Sequence, residues 1–521
     1  MKALEFKTLH LFIAVFIVLW ALSARERPVQ DGAVMAAVAA NLAIQGQVYY
    51  DYRALGYTVQ GPDGRHYGKY PLAWSLLLVP GQFLERLAST SGLSPSDKEL
   101  TIRLLRGLVP AATGALAVVF LFQALFLMGF SMVTSLVVTL AFHFATSTLP
   151  YLRSFYSEVF QVAAVNLALL TFVRFRLRSD AVSGFWLGAS LGLLVLAKVV
   201  LGLLAIVMGT ATLVAIACVP ARRSRIILSA AAGAVPFLAL FFWYNWLRYG
   251  VLITSHYGFY LVPEELGHPI ADGLYGLLLS SGRGLLWYAP LVLLALPAFR
   301  HPFREGPGRT VVPVALTGFV LTLLFYSSWT IWHGAEQWGP RFLVPMTGLL
   351  AVAGASTVDG LLKRRWVGRG LLASLVAAGL LVNVPGALIH HMTFYEAVPY
   401  KPYSSVRLDV EGKPLSPVES DNLHRVNFVP SFSPIRGHWW LLNHALWGGS
   451  LESDCPWRGQ QSEPRLIRTE DIEPRVNLWF LPEESWPPGT RKQAWATLAI
   501  LLLALAGMGF EIQRRLPRNR S

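Results

Sequence analysis

Residues 158–197 read EVFQVAAVNLALLTFVRFRLRSDAVSGFWLGASLGLLVLA: two apolar runs of near-membrane length joined by one cationic cluster, Arg174-Phe175-Arg176-Leu177-Arg178. Cytoplasmic connections carry the Lys/Arg excess of polytopic membrane proteins. This stretch therefore predicts two transmembrane helices joined on the cytoplasmic side. Working outward, the same short basic connection recurs at Arg222-Arg223-Ser224-Arg225, Arg300 to Arg309, Lys363-Arg364-Arg365 and the tail Arg514-Arg515 to Arg520. The alternate loops are longer and rich in Trp, Tyr, Gly, His and isolated charges, which places them on the outer face.

A spanning helix needs about 20 apolar residues. Spans are expected near 9–24, 103–127, 131–149, 158–173, 182–197, 200–219, 227–247, 284–299, 310–326, 342–360, 370–389 and 493–510. With the N-terminus inside, this order puts every basic cluster in the cytoplasm. Lys198, inside an apolar run too long for one helix, predicts a hairpin turn on the outer side. Residues 33–46 predict a surface helix, and Pro71 to Leu84 an interfacial or re-entrant one. The first apolar segment also resembles a signal peptide, with Leu22-Ser23-Ala24 a passable cleavage site; a retained anchor is the expectation. The fold class is thus an all-α polytopic membrane protein of about 12 transmembrane helices, with a small mixed outer segment before the last helix. Its parts are a transmembrane domain over 1–390 with outer loops 24–102, 248–283 and 327–341, a periplasmic or extracellular segment over 391–492 with a strand-like piece at 475–480, and the last helix with its basic tail over 493–521.

Composition agrees. The chain is 54% hydrophobic and only 14% charged, which excludes an ordinary soluble globule and a disordered chain. Its net charge of +14 sits in short connecting loops rather than on one face of a domain, so no nucleic-acid partner is expected. Two cysteines, Cys218 at a cytoplasmic helix end and Cys455 in the outer segment, supply no disulfide framework.

The unusual polar residues lie in the outer loops. Asp31 follows the first span closely; it is either a general base at the bilayer surface or the N-cap of the 33–46 helix, and the two roles are compatible. Lys69, before Tyr70-Pro71-Leu72, is either a cation for a lipid phosphate or a snorkelling interfacial lysine. Glu158 opens an apolar span, where a carboxylate is costly unless used or paired with Arg153 or another outer arginine. Arg248, His256 and Arg283 share one loop; the glycines around Arg283 allow close approach to a phosphate, with headgroup contact the plainer alternative, and His256 is better read as a structural histidine than a metal ligand. The stretch Trp329 to Arg341 is the densest cluster. Trp332 and Trp338 offer flat faces for a sugar ring or lipid, and His333, Glu336 and Arg341 add polar handles. Neither a zinc spacing nor a P-loop or nucleophile elbow occurs in a credible context.

In these residues and their order the chain resembles the GT-C superfamily of integral-membrane glycosyltransferases, and most nearly the bacterial relatives of protein O-mannosyltransferases and of lipid A aminoarabinose transferases. The resemblance rests on Asp31 early in the first outer loop, Lys69 to Leu72 beside the family's Lys-Pro-Pro-Leu region, Ser157-Glu158 at a helix entrance, Tyr244 to Gly250, and Trp338-Gly339-Pro340-Arg341. It covers most of residues 1–390. The chain departs from the family in its single proline at 71 and in lacking a second acid beside Asp31, and it has Lys198 where relatives often have Arg. The resemblance implies a polyprenyl-phosphate sugar donor, an envelope acceptor (protein, lipid or glycan), membrane lipids as surroundings, and hexosyl or pentosyl transfer with inversion at the outer face of the plasma (inner) membrane. It implies Asp31 and Glu158 as catalytic residues; Lys69, Lys198, Arg248, Arg283 and Arg341 at the donor phosphate; and Tyr70, His256, Trp332, His333, Glu336 and Trp338 around sugar or acceptor. It implies no definite cofactor, and a divalent metal is left open. A polytopic transporter or flippase is the alternative; it would want its ionisable residues at mid-membrane.

Overall fold

The computed structural model of the protein describes residues 2–50, 57–217, 223–253, 266–300, 306–364, 366–398, 417–452, 454–456, 472–483 and 485–515. It is a multi-pass, all-α membrane protein. In chain order its helices are α1 (Lys2–Ala21), α2 (Gln30–Gln45), α3 (Leu72–Ser89), α4 (Pro95–Leu127), α5 (Met132–Phe144), α6 (Thr148–Leu152), α7 (Glu158–Arg178), α8 (Ala181–Ala197), α9 (Gly202–Ala217) and α10 (Arg223–Tyr249). After these come α11 (Ile270–Leu278), α12 (Leu285–Tyr288), α13 (Leu296–Arg300), α14 (Gly308–Ser327), α15 (Thr347–Lys363), α16 (Trp366–Leu388), α17 (His391–Ala397), α18 (Pro417–Phe428), α19 (Pro434–Trp447) and α20 (Pro488–Arg515).

Each expected span has a helical counterpart. Among the described residues seven helices are long and apolar enough to cross a membrane, and four apolar helices are shorter. The differences have local causes. The span expected at 103–127 begins earlier, at Pro95, because Ser94 caps the helix by accepting from the Asp97 N–H and Pro95 suits the first helical position. The 284–299 span is broken: Ala289 is held out of the helical region ahead of Pro290, and a 3-10 turn over Pro290–Ala295 bridges to α13. Lys198 does mark a turn, in extended conformation between α8 and a 3-10 turn at Val199–Leu201.

Among the described residues the largest apolar cluster draws on α1 to α16, and three smaller clusters lie beside it. Its tightest seam is α8 against α10, where a Cβ on Gly188 would lie 1.9 Å from the Ala230 carbonyl oxygen and one on Gly233 2.1 Å from that of Phe185. Small residues let membrane helices approach this closely. The first helix is part of the bundle, with the Trp20 indole donating to the Leu104 carbonyl and α20 packed alongside.

The helix expected at 33–46 is present as α2, which begins at Gln30 and buries Val34, Met35, Val38 and Ala39. Between α2 and α3 lies a small antiparallel sheet, β1 (Tyr49–Tyr50), β2 (Thr58–Gln60) and β3 (His66–Gly68), in the order β1-β3-β2. It ends directly in Lys69 and Tyr70. The strand expected at 475–480 is instead a single bridge, Ile389 to Val476, because Asn477 accepts with its side chain from the Arg25 and Glu26 N–H groups and Trp479 N–H binds the Ser23 carbonyl.

Candidate functional site

Asp31 sits in the first turn of α2, so its carboxylate faces the positive end of that helix. It is not the N-cap: that position is Val29, whose side chain cannot accept a hydrogen bond. The cap reading of Asp31 is therefore corrected. The carboxylate is held from two sides. Its Oδ1 accepts from the Tyr70 hydroxyl at 2.7 Å, and its Oδ2 lies 2.5 Å from Arg341 Nη2.

Arg341 is shared between two acids. Its Nε donates to Glu158 Oε1 at 2.5 Å, and its guanidinium lies over the Tyr156 ring at 5.1 Å. Arg153, the alternative partner for Glu158, is used elsewhere: it donates to the backbone carbonyls of Leu22 and Asn477. Glu158 is 1% exposed, and its Oε2 has no hydrogen-bond partner among the described residues.

Two further cations face this pair of acids. Lys198 is buried, with Nζ 4.7 Å from the centre of the Phe342 ring and 5.6 Å from that of Tyr326. These two rings are stacked 4.5 Å apart, and their contacts with Lys198 are cation–π. No hydrogen-bond acceptor for Nζ is found among the described residues, so the ammonium is held by aromatic faces and by the field of Glu158 and Asp31. Lys69 lies 5.5 Å over both Tyr57 and Tyr70. Burial works against ionisation of Asp31, but the Arg341 guanidinium, the hydrogen bonds from Tyr70 and Arg341, and the Lys69 ammonium outweigh it and hold the carboxyl below the ordinary aspartate value. Burial depresses the Lys69 ammonium, an effect that Asp31 opposes and Arg341 reinforces.

Arg248 and Arg283 are placed differently. Both are fully buried, and most of their donors are turned onto the chain, Arg248 Nε having no hydrogen-bond partner among the described residues. Arg248 Nη1 donates to the carbonyls of Gly68, Lys69 and Tyr70, and Nη2 to Asn245 Oδ1 at 2.7 Å. Arg283 donates to the carbonyls of Gln337 and Ala335, to Tyr395 and to Asn427. One fixes the loop carrying Lys69 and Tyr70; the other fixes the loop carrying Glu336.

The aromatic residues of that second loop are likewise interior. Trp338 is buried edge-on against Tyr288 and donates to Asn383 Oδ1 at 2.9 Å; Trp332 packs on Phe428 and Gly276. His333 accepts from the Ala335 N–H. Trp332 and Trp338 are thus both buried in contacts with the chain itself. His256 lies outside the described residues.

Sequence reasoning missed the neutral groups. Gln30, in a left-handed conformation at φ 49°, donates from Nε2 to Glu336 Oε2 at 2.8 Å and accepts at Oε1 from Gln337 Nε2 at 2.6 Å. Ala335 is also left-handed, at φ 61°. A residue with a side chain costs about 1–2 kcal/mol in this region, and such costs gather at functional sites. No sequence signal marks an amide or a backbone angle. Tyr156 had a weak one, as part of the Arg153 to Glu158 stretch. Its hydroxyl meets Gln337 Nε2 at 3.1 Å and His391 Nε2 at 3.0 Å. Beyond Tyr156 a cavity opens, lined by Glu26, Gly32, Gln337, His390 and His391 among others. Burial, reinforced by neighbouring positive groups, keeps His391 far below its ordinary value and therefore neutral. Among the described residues no group of three or more His, Cys, Asp or Glu is placed to hold a metal ion.

No protein-family model matches the chain, and no curated protein does. Three solved structures are similar. ArnT from Cupriavidus metallidurans bound to undecaprenyl phosphate is 18% identical over 72% of this chain and 64% of that one, with a TM-score of 0.47. ArnT in the apo state is 19% identical over 74% and 65%, with a TM-score of 0.45. The Archaeoglobus fulgidus oligosaccharyltransferase in the apo form is 12% identical over 73% and 54%, with a TM-score of 0.37. This chain spans less than two thirds of the length of each.

Proposed function

We propose that the protein is a glycosyltransferase that moves a sugar from a polyprenyl-phosphate donor to an envelope acceptor, at the non-cytoplasmic face of the plasma (inner) membrane. The observation that carries this reading is the Asp31–Arg341–Glu158 bridge with Lys198 and Lys69 beside it: one oriented carboxylate next to a surplus of cations. With both acids and all three cations ionised, the cluster has one net positive charge before any anion enters. The leaving group of such a donor is a phosphate, which needs charge stabilisation more than a proton. Lys198, buried and lacking an oxygen partner among the described residues, is suited to that phosphate, with Lys69 and Arg341 completing the field.

The reaction we assign is direct displacement with inversion. The acceptor oxygen attacks the anomeric carbon, the bond from that carbon to the phosphate oxygen breaks, and the electron pair leaves with the polyprenyl phosphate. The acceptor proton passes to Asp31. Two hydrogen bonds occupy only part of the carboxylate's accepting capacity, so Asp31 can receive a third. Its lowered pKa makes it a weak base that is always ionised. This suits a reaction in which the bond to phosphate is well broken before the acceptor proton becomes acidic. Glu158 holds Arg341 in place, and the cavity beyond Tyr156 is the route we assign to the acceptor.

The test is release of polyprenyl phosphate from a panel of polyprenyl-phosphate sugars by the purified protein, with envelope extract as acceptor source. Release that needs Asp31 and acceptor supports the reading. Unmodified donor with every sugar, alongside movement of intact donor across vesicle membranes, would replace it with the transporter alternative.

A further inference from the structure

We propose that Gln30 is a positioning residue: its side chain locks the start of α2 to the Glu336–Gln337 loop and to α17, and so sets the aim of the adjacent Asp31 carboxylate. The inference rests on the glycosyl-transfer reading for its activity test.

Gln30 joins more of the site than any of the charged residues beside it. Its Nε2 donates to Glu336 Oε2 at 2.8 Å and lies 3.2 Å from Met392 Sδ. Its Oε1 accepts from Gln337 Nε2 at 2.6 Å and from the Tyr156 hydroxyl at 3.4 Å. Four partners from three separate parts of the chain thus converge on one amide. The backbone makes the same point. Helix α2 begins with no side-chain cap, and Gln30 enters it at φ 49°, a conformation that glycine adopts readily and other residues rarely do. Ala335 mirrors it at φ 61°, immediately before Glu336. Each of these two left-handed residues precedes an acid, and the Gln30 side chain bridges the two turns. Glycine would satisfy the backbone at position 30 better than glutamine does. What glutamine adds is the amide, and the amide is fully used.

The coupling has a direction. Arg283 fixes the 335–339 loop by its backbone, the loop holds Gln30 through Glu336 and Gln337, and Gln30 is bonded covalently to Asp31. The base is therefore aimed from one side by Arg341 and Tyr70, and from the other by this neutral network. The groups facing position 30 are Glu336 and Gln337 from the loop, Tyr156, Met392 with the neighbouring neutral His391 on α17, and the Asp31–Arg341 pair on its own side.

The experiment compares Gln30→Ala, Gln30→Gly and Gln30→Glu in the full-length protein, reading kcat and KM for the donor and amide hydrogen exchange over 29–36 and 333–341. Misplacement of a reacting group by about 1 Å costs roughly 10²-fold, so Gln30→Ala should lose about that factor in kcat with donor KM unchanged. Gln30→Gly should lose as much although its backbone is relieved; wild-type turnover in Gln30→Gly would mean that only the backbone matters, and would overturn the proposal. Gln30→Glu should recover turnover as pH falls, because a protonated carboxyl can donate to Glu336 whereas two facing carboxylates repel. A loss confined to KM would also overturn it. If the wild-type protein turns over no donor, the glycosyl-transfer reading has failed and exchange decides alone. Faster exchange in both segments of Gln30→Ala keeps the coupling, and unchanged exchange removes it.

Discussion

Asp31 and Arg341 stand 310 positions apart in the chain and 2.5 Å apart in space. Through Arg341 the carboxylate is joined to Glu158, so the first surface helix, the entrance of α7 and the end of the Trp-rich loop meet at one guanidinium. A carboxylate anchored in this way has a fixed direction, and its neighbours favour its charged form.

Asp31→Asn keeps the size of the side chain and removes the proton acceptor. Turnover should fall by about 10²–10⁴-fold, the usual contribution of a general base, while donor binding persists. Because Val29 occupies the cap position, Asp31→Ala should cost no capping energy. Asp31→Asn can still accept from Tyr70 and Arg341 whereas Asp31→Ala cannot, so Asp31→Ala should unfold at the lower temperature in detergent; near wild-type turnover in Asp31→Asn would remove Asp31 from the mechanism.

Arg341→Met leaves Glu158 buried without its partner. Breaking a buried pair from one side costs about 3–5 kcal/mol, so the single variant should unfold well below the wild type. Adding Glu158→Gln removes the stranded charge and should recover much of that loss without restoring turnover. A double variant no more stable than the single one would show that the pair is not coupled.

The Lys69 ammonium is present below its pKa and lost as pH rises through it. Since burial lowers that pKa, donor affinity should decline at a lower pH than an ordinary lysine would give. Lys69→Arg keeps its charge throughout this range and should abolish the alkaline decline. Donor titration across pH with both proteins decides it; identical profiles would place Lys69 away from the phosphate.

Arg248→Gln should lower thermal stability and turnover together, because its target is the carbonyl row at Gly68, Lys69 and Tyr70 rather than the donor. The same holds for Arg283→Gln and the 335–339 loop. Lysine should rescue neither, since one ammonium cannot reproduce the planar fork. A variant of normal stability that has lost only donor affinity would return that arginine to the phosphate site.

The helical architecture was legible because membrane burial writes itself into sequence twice, as apolar length and as loop charge. Asp31, Lys69, Glu158, Lys198 and Arg341 stood out for a related reason: a charge beside so much apolar sequence is expensive unless it is used, and the structure brings all five together. Arg248 and Arg283 looked the same in sequence but serve backbone carbonyls, and a carbonyl leaves no mark in the residue order. Trp332 and Trp338 share their letters with exposed stacking residues; only packing against Phe428 and Tyr288 distinguishes them. Gln30 was invisible, because its importance lies in a backbone angle and in partners more than a hundred residues away. The sheet at 49–68 and the missing strand at 475–480 fail for one reason: both depend on what a short segment finds to bind.

The short segment between α1 and α2 is held by Arg153 at the Leu22 carbonyl and by residues more than four hundred positions further along the chain. Arg25 N–H and Glu26 N–H bind the Asn477 side chain, the Arg25 guanidinium lies 2.6 Å from Glu483, and the Ser23 carbonyl accepts from Trp479. A ribosome has added more than four hundred residues after Asp31 before these partners exist. Until then the segment leading to Asp31 lacks these later moorings, however completely the intervening helices have entered the bilayer. Activity should therefore await synthesis beyond residue 483, and a nascent chain halted before residue 477 should be inserted and silent.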